Sequence, residues 1–248
     1  MKRHLKLTLL HTYYQFLELI RQPMYLLSTL VFPAMFFWFF GVPNAQTEAA
    51  AAMLTGSFAC FGVLGVVLFQ FAIGIAQEKG TAWSHYLHIL PLPHVLTFLP
   101  RVLNALFVSL LSILTVILVA VITTPLKWPE IPWLHFFITL MLSSIPFALL
   151  GACLGYSASG KSVVPLANLV YLPLSFAGGL WMPPQALPKV VQEISQYLPT
   201  RFMGEVVWAA LLKQDTNSKY VWGLAIYAVL FFAGSLLLFR KTQEQEFR

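Results

Sequence analysis

Charged side chains are scarce in this chain. Of its 248 residues 10% are Asp, Glu, Lys or Arg and 58% are hydrophobic, with a mean hydropathy of +0.76. A soluble domain carries about a quarter of its residues as charges to keep its surface wet, so this composition excludes an ordinary soluble core. What charge there is leaves long gaps. No Asp, Glu, Lys or Arg lies between Arg21 and Glu48, Glu48 and Glu78, Arg101 and Lys127, Glu130 and Lys161, Lys161 and Lys189, or Lys219 and Arg240. Each gap holds at least the ~20 apolar residues that cross a bilayer core as a helix. Cysteine is scarcer still. Cys60 and Cys153 both fall inside these gaps, where they read as small apolar packing residues and exclude a disulfide framework.

The gaps predict six membrane spans, roughly 24–42, 53–76, 102–124, 133–156, 163–182 and 220–239, in one all-α membrane domain covering 1–248. A further charge-free run, Gly80 to Pro100, contains His85, His88, His94, Pro91, Pro93 and Pro100. Polar rings and a broken backbone suit an interfacial segment better than a span. Residues 1–22 are not a cleavable signal, because His11, Gln15 and Glu18 interrupt them at helical intervals. Leu5, Leu9, Tyr13, Phe16 and Ile20 share one face, with His4, Thr8, His11, Gln15, Glu18 and Gln22 opposite, which predicts a helix lying in the membrane interface.

Lys and Arg set the orientation. Cytoplasmic termini place Lys2, Arg3, Lys6, Arg21, Lys79, Arg101, Lys161, Arg240, Lys241 and Arg248 inside, and Lys127, Lys189, Arg201, Lys213 and Lys219 outside. The positive-inside rule favours that arrangement, and it makes the net charge of +6 mostly a topology signal. No aromatic-studded basic groove points to nucleic acid.

Beyond the fifth span, Gly178-Gly179 would loosen the helix, Trp181 suits an interfacial aromatic belt, and Pro183-Pro184 ends the run. Two short amphipathic pieces, about 187–198 and 201–212, are separated by Pro199 and are too short to span. A re-entrant hairpin over 183–213, packed against protein, satisfies their backbone; a pair of helices on the outer leaflet is the alternative.

Candidate chemistry is sparse. Gly155 to Ser162 matches the phosphate-binding pattern G-x-x-x-x-G-K-[ST], but its flanks are membrane spans, not a strand and a soluble helix, so a turn with a topology-setting Lys161 is the simpler reading. His85, His88 and His94 lack the further ligands of a structural zinc site. No Ser/His/Asp arrangement follows from any spacing. The predicted spans carry no interior Asp, Glu, Lys or Arg, so energy for uphill transport would come from another polypeptide. Gln70, Asn104 and Asn168 are the amides left as candidates for a substrate path, against the blander role of helix-to-helix hydrogen bonds.

The order of an interfacial helix, Arg-x-Pro, two spans, Gln77-Glu78-Lys79-Gly80-Thr81 followed by Leu87 and Pro91, four more spans and a Pro-rich outer stretch resembles the permease subunit of type-2 ATP-binding-cassette (ABC) exporters. The likeness covers essentially the whole chain. In that family the loop after the second span carries an R/E-E-x-G-T element and then Leu-x-x-x-Pro; here Gln77 departs from the pattern while Glu78, Gly80, Thr81, Leu87 and Pro91 match. Met182-Pro183-Pro184-Gln185-Ala186-Leu187-Pro188 and Tyr197-Leu198-Pro199-Thr200 are similar to the family's outer stretch.

The resemblance implies a coupling segment over 78–100, with Glu78, Lys79, Gly80, Thr81, Leu87, Pro91 and Lys161 meeting a cytoplasmic ABC ATPase present in two copies. It also implies a second permease, identical or homologous, surrounding lipid, and a multi-pass place in a bacterial-type cytoplasmic membrane. The chain itself would be no enzyme and hold no cofactor, ATP and magnesium sitting on the partner. The cargo would be an amphiphile such as a drug, an antibiotic or a lipid-like molecule. A polysaccharide or teichoic-acid exporter, and a channel or scaffold subunit outside the family, stay open as alternatives.

The topology is directly testable. A cysteine placed at Asn217 is expected to react with an impermeant thiol reagent in intact cells, and one at Gln243 to stay unlabelled until the cells are opened. The reverse pattern would overturn the orientation.

Overall fold

The computed structural model describes residues 10, 13–14, 16–17, 20–21, 23–79, 81, 95–127 and 131–246. Every regular element among them is helical. Of the predicted N-terminal interfacial helix only scattered helical positions fall in this set, and among them Phe16 meets Phe107 edge to face, centroids 4.8 Å apart.

Helix α1 (Pro23–Phe36) runs on through a π-helical turn (Phe37–Gly41) and a 3-10 turn (Val42–Asn44). α2 (Glu48–Glu78) starts at Thr47, whose hydroxyl accepts from the Ala50 amide at 3.2 Å and so satisfies a donor that the first turn leaves free. α3 is Val95–Thr123. α4 (Trp133–Ser143) and α5 (Ile145–Ser157) form one apolar rod interrupted at Ser144, before Pro146, which has no amide to continue the ladder. The Ser143 and Ser144 hydroxyls donate back to the carbonyls of Leu140 and Met141, at 3.0 and 2.7 Å, which keeps those oxygens satisfied at the break. α6 (Val163–Ala177), α7 (Lys189–Ser195), α8 (Pro199–Leu211) and α9 (Ser218–Glu246) complete the chain.

Among the described residues four helices are long and apolar enough to cross a membrane: α2, α3, the α4–α5 rod and α9. The apolar stretch 29–44 and α6 are shorter. α6 stops at Ala177, not near 182 as its hydropathy suggests. Gly179 takes φ +79°, the Leu180 amide reaches the Ser175 carbonyl and the Gly179 amide reaches that of Phe176, so the glycine pair terminates the helix instead of loosening it. Trp181 is likewise not a lone belt residue: its ring packs with Phe36, Phe40, Phe61 and Phe176, and its indole N–H donates to Ser175 Oγ at 3.1 Å.

α2 is the hub, touching α1, α3, α4, α5, α6 and α8. In its apolar window 72% is buried, against 11% for α9, which leans only on α5 and α8 among the helices it contacts closely. Small residues permit the closest contacts. A Cβ on Gly151 of α5 would lie 2.6 Å from the Leu68 carbonyl oxygen, and one on Gly155 would lie 2.8 Å from that of Ala72. Bilayer lipid is as apolar as Leu, so helices gain by packing and not by hiding oil from water; a Gly-x-x-x-Gly stripe lets the backbones meet. α1, α2 and α3 converge at Gly62, where a Cβ would strike Ser112 Oγ at 2.6 Å and Pro33 at 3.2 Å.

The segment after α6 folds back onto the bundle. Pro199 is the first residue of α8, where its fixed φ suits a helix start, and does not separate two pieces as a spacer. α8 buries Phe202, Met203, Val207, Trp208 and Leu211 among α2, α4, α6 and α9. Its polar atoms are tied in: Trp208 Nε1 donates to Ser57 Oγ at 2.8 Å, and Thr200 Oγ1 to the Leu174 carbonyl at 2.7 Å.

The glycine contacts generate a graded expectation. Gly151→Ala and Gly155→Ala must push backbone from backbone and should cost about 1–3 kcal/mol each, whereas Gly160→Ala, whose Cβ would sit an ordinary 3.6 Å from the Ala76 carbonyl, should be neutral. Thermal melting of detergent-purified variants checks this; equal midpoints for all three would show that the α2–α5 contact is loose.

Candidate functional site

Three helix ends and one turn meet where α2 finishes. Val163 of α6 packs with Ala72 and Ala76 of α2, and Tyr156 of α5 meets Phe239 of α9 with centroids 5.5 Å apart, so Glu78, Lys79, Arg101, Lys161 and the stretch around Arg240 share one end of the bundle. Glu48 and Lys127, paired at 2.8 Å, mark the opposite end.

Glu78 is the last residue of α2, where the partial negative charge of the helix C-terminus disfavours a carboxylate. Arg101 compensates. Its guanidinium lies 2.6 Å from Glu78 Oε1, with 10% of its side chain exposed against 52% for Glu78. Gly74, one turn earlier, makes the bed for it, since a Cβ there would come within 3.2 Å of Arg101 Nε. The Thr81 hydroxyl and amide both return to the Glu78 carbonyl, at 2.8 and 3.2 Å, closing the turn that leaves α2.

Lys79 reaches the other way. Its ammonium donates to the carbonyls of Tyr156, at 2.8 Å, and Ala158, at 3.1 Å. These are orphan acceptors at the end of α5, where a cation is favoured by both hydrogen bonding and the helix dipole. Consecutive residues thus fasten the end of α2 to α3 on one side and to the end of α5 on the other.

The stretch that matches a phosphate loop is a closed turn. Gly155 is spent on the contact with α2, the Ser162 and Val163 amides both donate to the Ser159 carbonyl, and the Ser159 and Ser162 hydroxyls lie 2.8 Å apart. Amides committed to the turn are not free to cradle an anion. Lys161 is exposed on this turn, beside the carbonyls that Lys79 holds.

The sequence singled out Glu78, Lys79, Thr81 and Lys161, and all four sit at this end. Gly80, Leu87 and Pro91, with the three histidines of that segment, lie outside the described residues. The charge-free run starts the third span at 102 and leaves Arg101 just outside it. Arg101 is instead inside α3 and buried, so a charged residue does lie within a span-forming helix. The signal that could have found it is the pair of lone opposite charges at facing ends of consecutive spans.

The three amides fall at one level. Antiparallel register between α2 and α3, Gly62 beside Ser112 and Gly74 beside Arg101, sets Asn104 level with Gln70. Register between α2 and α6, with Tyr171 against Gly65 and Val163 near Ala76, sets Asn168 at about the same height. Asn104 is buried and Asn168 exposed, and Gln70 Oε1 is buried with no hydrogen-bond partner. Among the described residues no three His, Cys, Asp or Glu side chains gather as a metal site.

Comparison with known proteins agrees with this architecture. Residues 7–212 match the family described as "ABC-2 type transporter". The Bacillus subtilis (strain 168) protein named "Putative transport permease YvfS" is 24% identical over 232 residues, covering 91% of this chain and 94% of its own length. With most of its length matched and a multi-pass helical bundle to go with it, the chain belongs to the ABC-2 type transporter family, as a transmembrane permease subunit.

Proposed function

We propose that this chain is the membrane half of an ATP-driven exporter, worked by a separate cytoplasmic ABC ATPase in two copies and paired with a second permease, identical or homologous. The observation that carries this reading is the double fastening at the end of α2. A push on the segment that leaves Glu78 would reach α3 through Arg101 and α5 through Lys79. It would also reach the six helices that α2 touches, so a local contact with the ATPase becomes a movement of the bundle. The 78–100 segment and the exposed Lys161 turn form the surface offered to the ATPase, and ATP with magnesium sits on the partner.

In this reading the 29–44 stretch and α6 also cross, making six spans with both termini cytoplasmic in a bacterial-type membrane. α6 alone covers about 22 Å at 1.5 Å per residue, a length that a locally thinned bilayer accommodates. α8, too short to cross and buried among four helices, forms a re-entrant hairpin with α7. Gln70, Asn104 and Asn168 mark the level of the substrate path, because an unpartnered buried amide oxygen asks for a donor that a passing substrate can supply. The broad apolar faces of α3, α6 and α9 suit a cargo that arrives from the lipid, an amphiphile.

Reconstitution in liposomes with the cognate ATPase tests it. Removing Glu78 strips the counter-ion from a mostly buried guanidinium, costing about 1–3 kcal/mol of stability, which a foldable variant survives. Glu78→Ala and Lys79→Ala should therefore still assemble, yet lose substrate-stimulated ATP turnover and flux together. Lys161→Arg should keep both, and the purified chain alone should bind no ATP. Normal coupled turnover in both alanine variants, with full complex recovery, would refute the mechanism.

A further inference from the structure

At the end of the bundle away from Glu78, an open cavity of about 240 Å³ lies between α8, the start of α9 and Met53 of α2. Its walls carry charge and aromatic surface together. Glu205 accepts from Arg201 Nε at 2.8 Å, and the Arg201 guanidinium stands 5.5 Å from the centre of the Trp208 ring. Trp208 cannot swing away, because it is buried and its N–H is held by Ser57. Asp215 and Tyr220 complete the wall, and the exposed Asp215 carboxylate makes no ion pair among the described residues. Lys213 and Lys219, its neighbours in the chain, are not part of the lining.

The charge count is uneven. Two carboxylates and one guanidinium line it, and that guanidinium is already engaged by Glu205 and Trp208, so the lining itself carries one net negative charge beside an aromatic ring, with the exposed Lys213 and Lys219 just outside it. An anion would meet net repulsion there. A hard divalent ion would want several oxygens free at one point, whereas Glu205 is taken by Arg201 and the Asn217 side-chain oxygen by the Lys219 amide. A soft organic cation is suited by both features at once, a counter-ion and π faces, in the way Arg201 is already held against Trp208.

We propose that this cavity is a binding site for an organic ammonium group, with Asp215 as counter-ion and Tyr220 as the aromatic contact. Resting on the exporter reading, this makes it a station for the cationic head of the cargo after it has passed the bilayer, and narrows the amphiphile to a cationic one.

The test uses the full chain alone, in nanodiscs of phosphatidylcholine that carry no net surface charge, with benzyltrimethylammonium as probe and benzyl alcohol and benzoate as neutral and anionic counterparts. Ligand-observed saturation-transfer NMR should show saturable binding of the cation only, weakened by added salt. Asp215→Asn should weaken it about twofold to fivefold. Asp215→Lys, at an exposed position that leaves the fold intact, should abolish it and admit benzoate. Unchanged affinity in both variants, or equal binding of benzyl alcohol, would overturn the proposal. Because no ATPase or gradient is present, this outcome is separate from the liposome experiment: cation binding with no coupled flux would remove the exporter reading and leave the site.

Discussion

The approach of α5 to α2 with no side chain between their backbones is the contact on which the rest of the bundle depends. Gly151 and Gly155 leave the carbonyls of Leu68 and Ala72 lying directly against α5. That distance sets where α5 ends, and therefore where the Tyr156 and Ala158 carbonyls stand relative to Lys79. With a wider separation the ammonium could not reach them, the turn carrying Lys161 would move off α2, and the end of the second long helix would be held from one side only.

Electrostatics then does locally what packing cannot. A carboxylate at a helix C-terminus is poorly placed, and a guanidinium inside an apolar helix is costly; set opposite one another, each removes the other's difficulty. Gly74 shows that the packing anticipates this, since any side chain there would crowd the guanidinium. The pair's asymmetry, with Arg101 buried and Glu78 half in solvent, means that Glu78 is the member a partner can reach.

Much of this was legible in the sequence because hydrocarbon imposes so few solutions: charge-free runs of sufficient length must be helices whose backbone is satisfied within the segment. The existence of the second span, the isolated position of Glu78 and Lys79, and the unsuitability of the Gly155–Ser162 stretch for phosphate all followed from charge placement and flanking context. What hydropathy does not encode is register. Glu78 and Arg101 are brought together by an antiparallel pairing fixed by glycine contacts, and no count of apolar residues reveals which rungs face each other. The end of α6 was missed for a related reason. Gly178 and Gly179 are neutral in a hydropathy profile, but a residue at positive φ stops a helix whatever its neighbours' polarity. Arg201 and Glu205, one turn apart, looked like part of an amphipathic stripe; only the fold shows them walling a cavity with Asp215.

The loose attachment of α9 bears on how the protein is made. The last of the described helices leans on α5 and α8, and α8 in turn leans on α2 and α4. When α9 emerges from the ribosome its docking surface is therefore already assembled, and it needs to displace only lipid. Until then the face of α5 around Cys153, which bonds to the Phe231 carbonyl in the finished bundle, is open to the bilayer or to the insertion machinery. The outermost helix is thus seated on a wall that the earlier helices form without it.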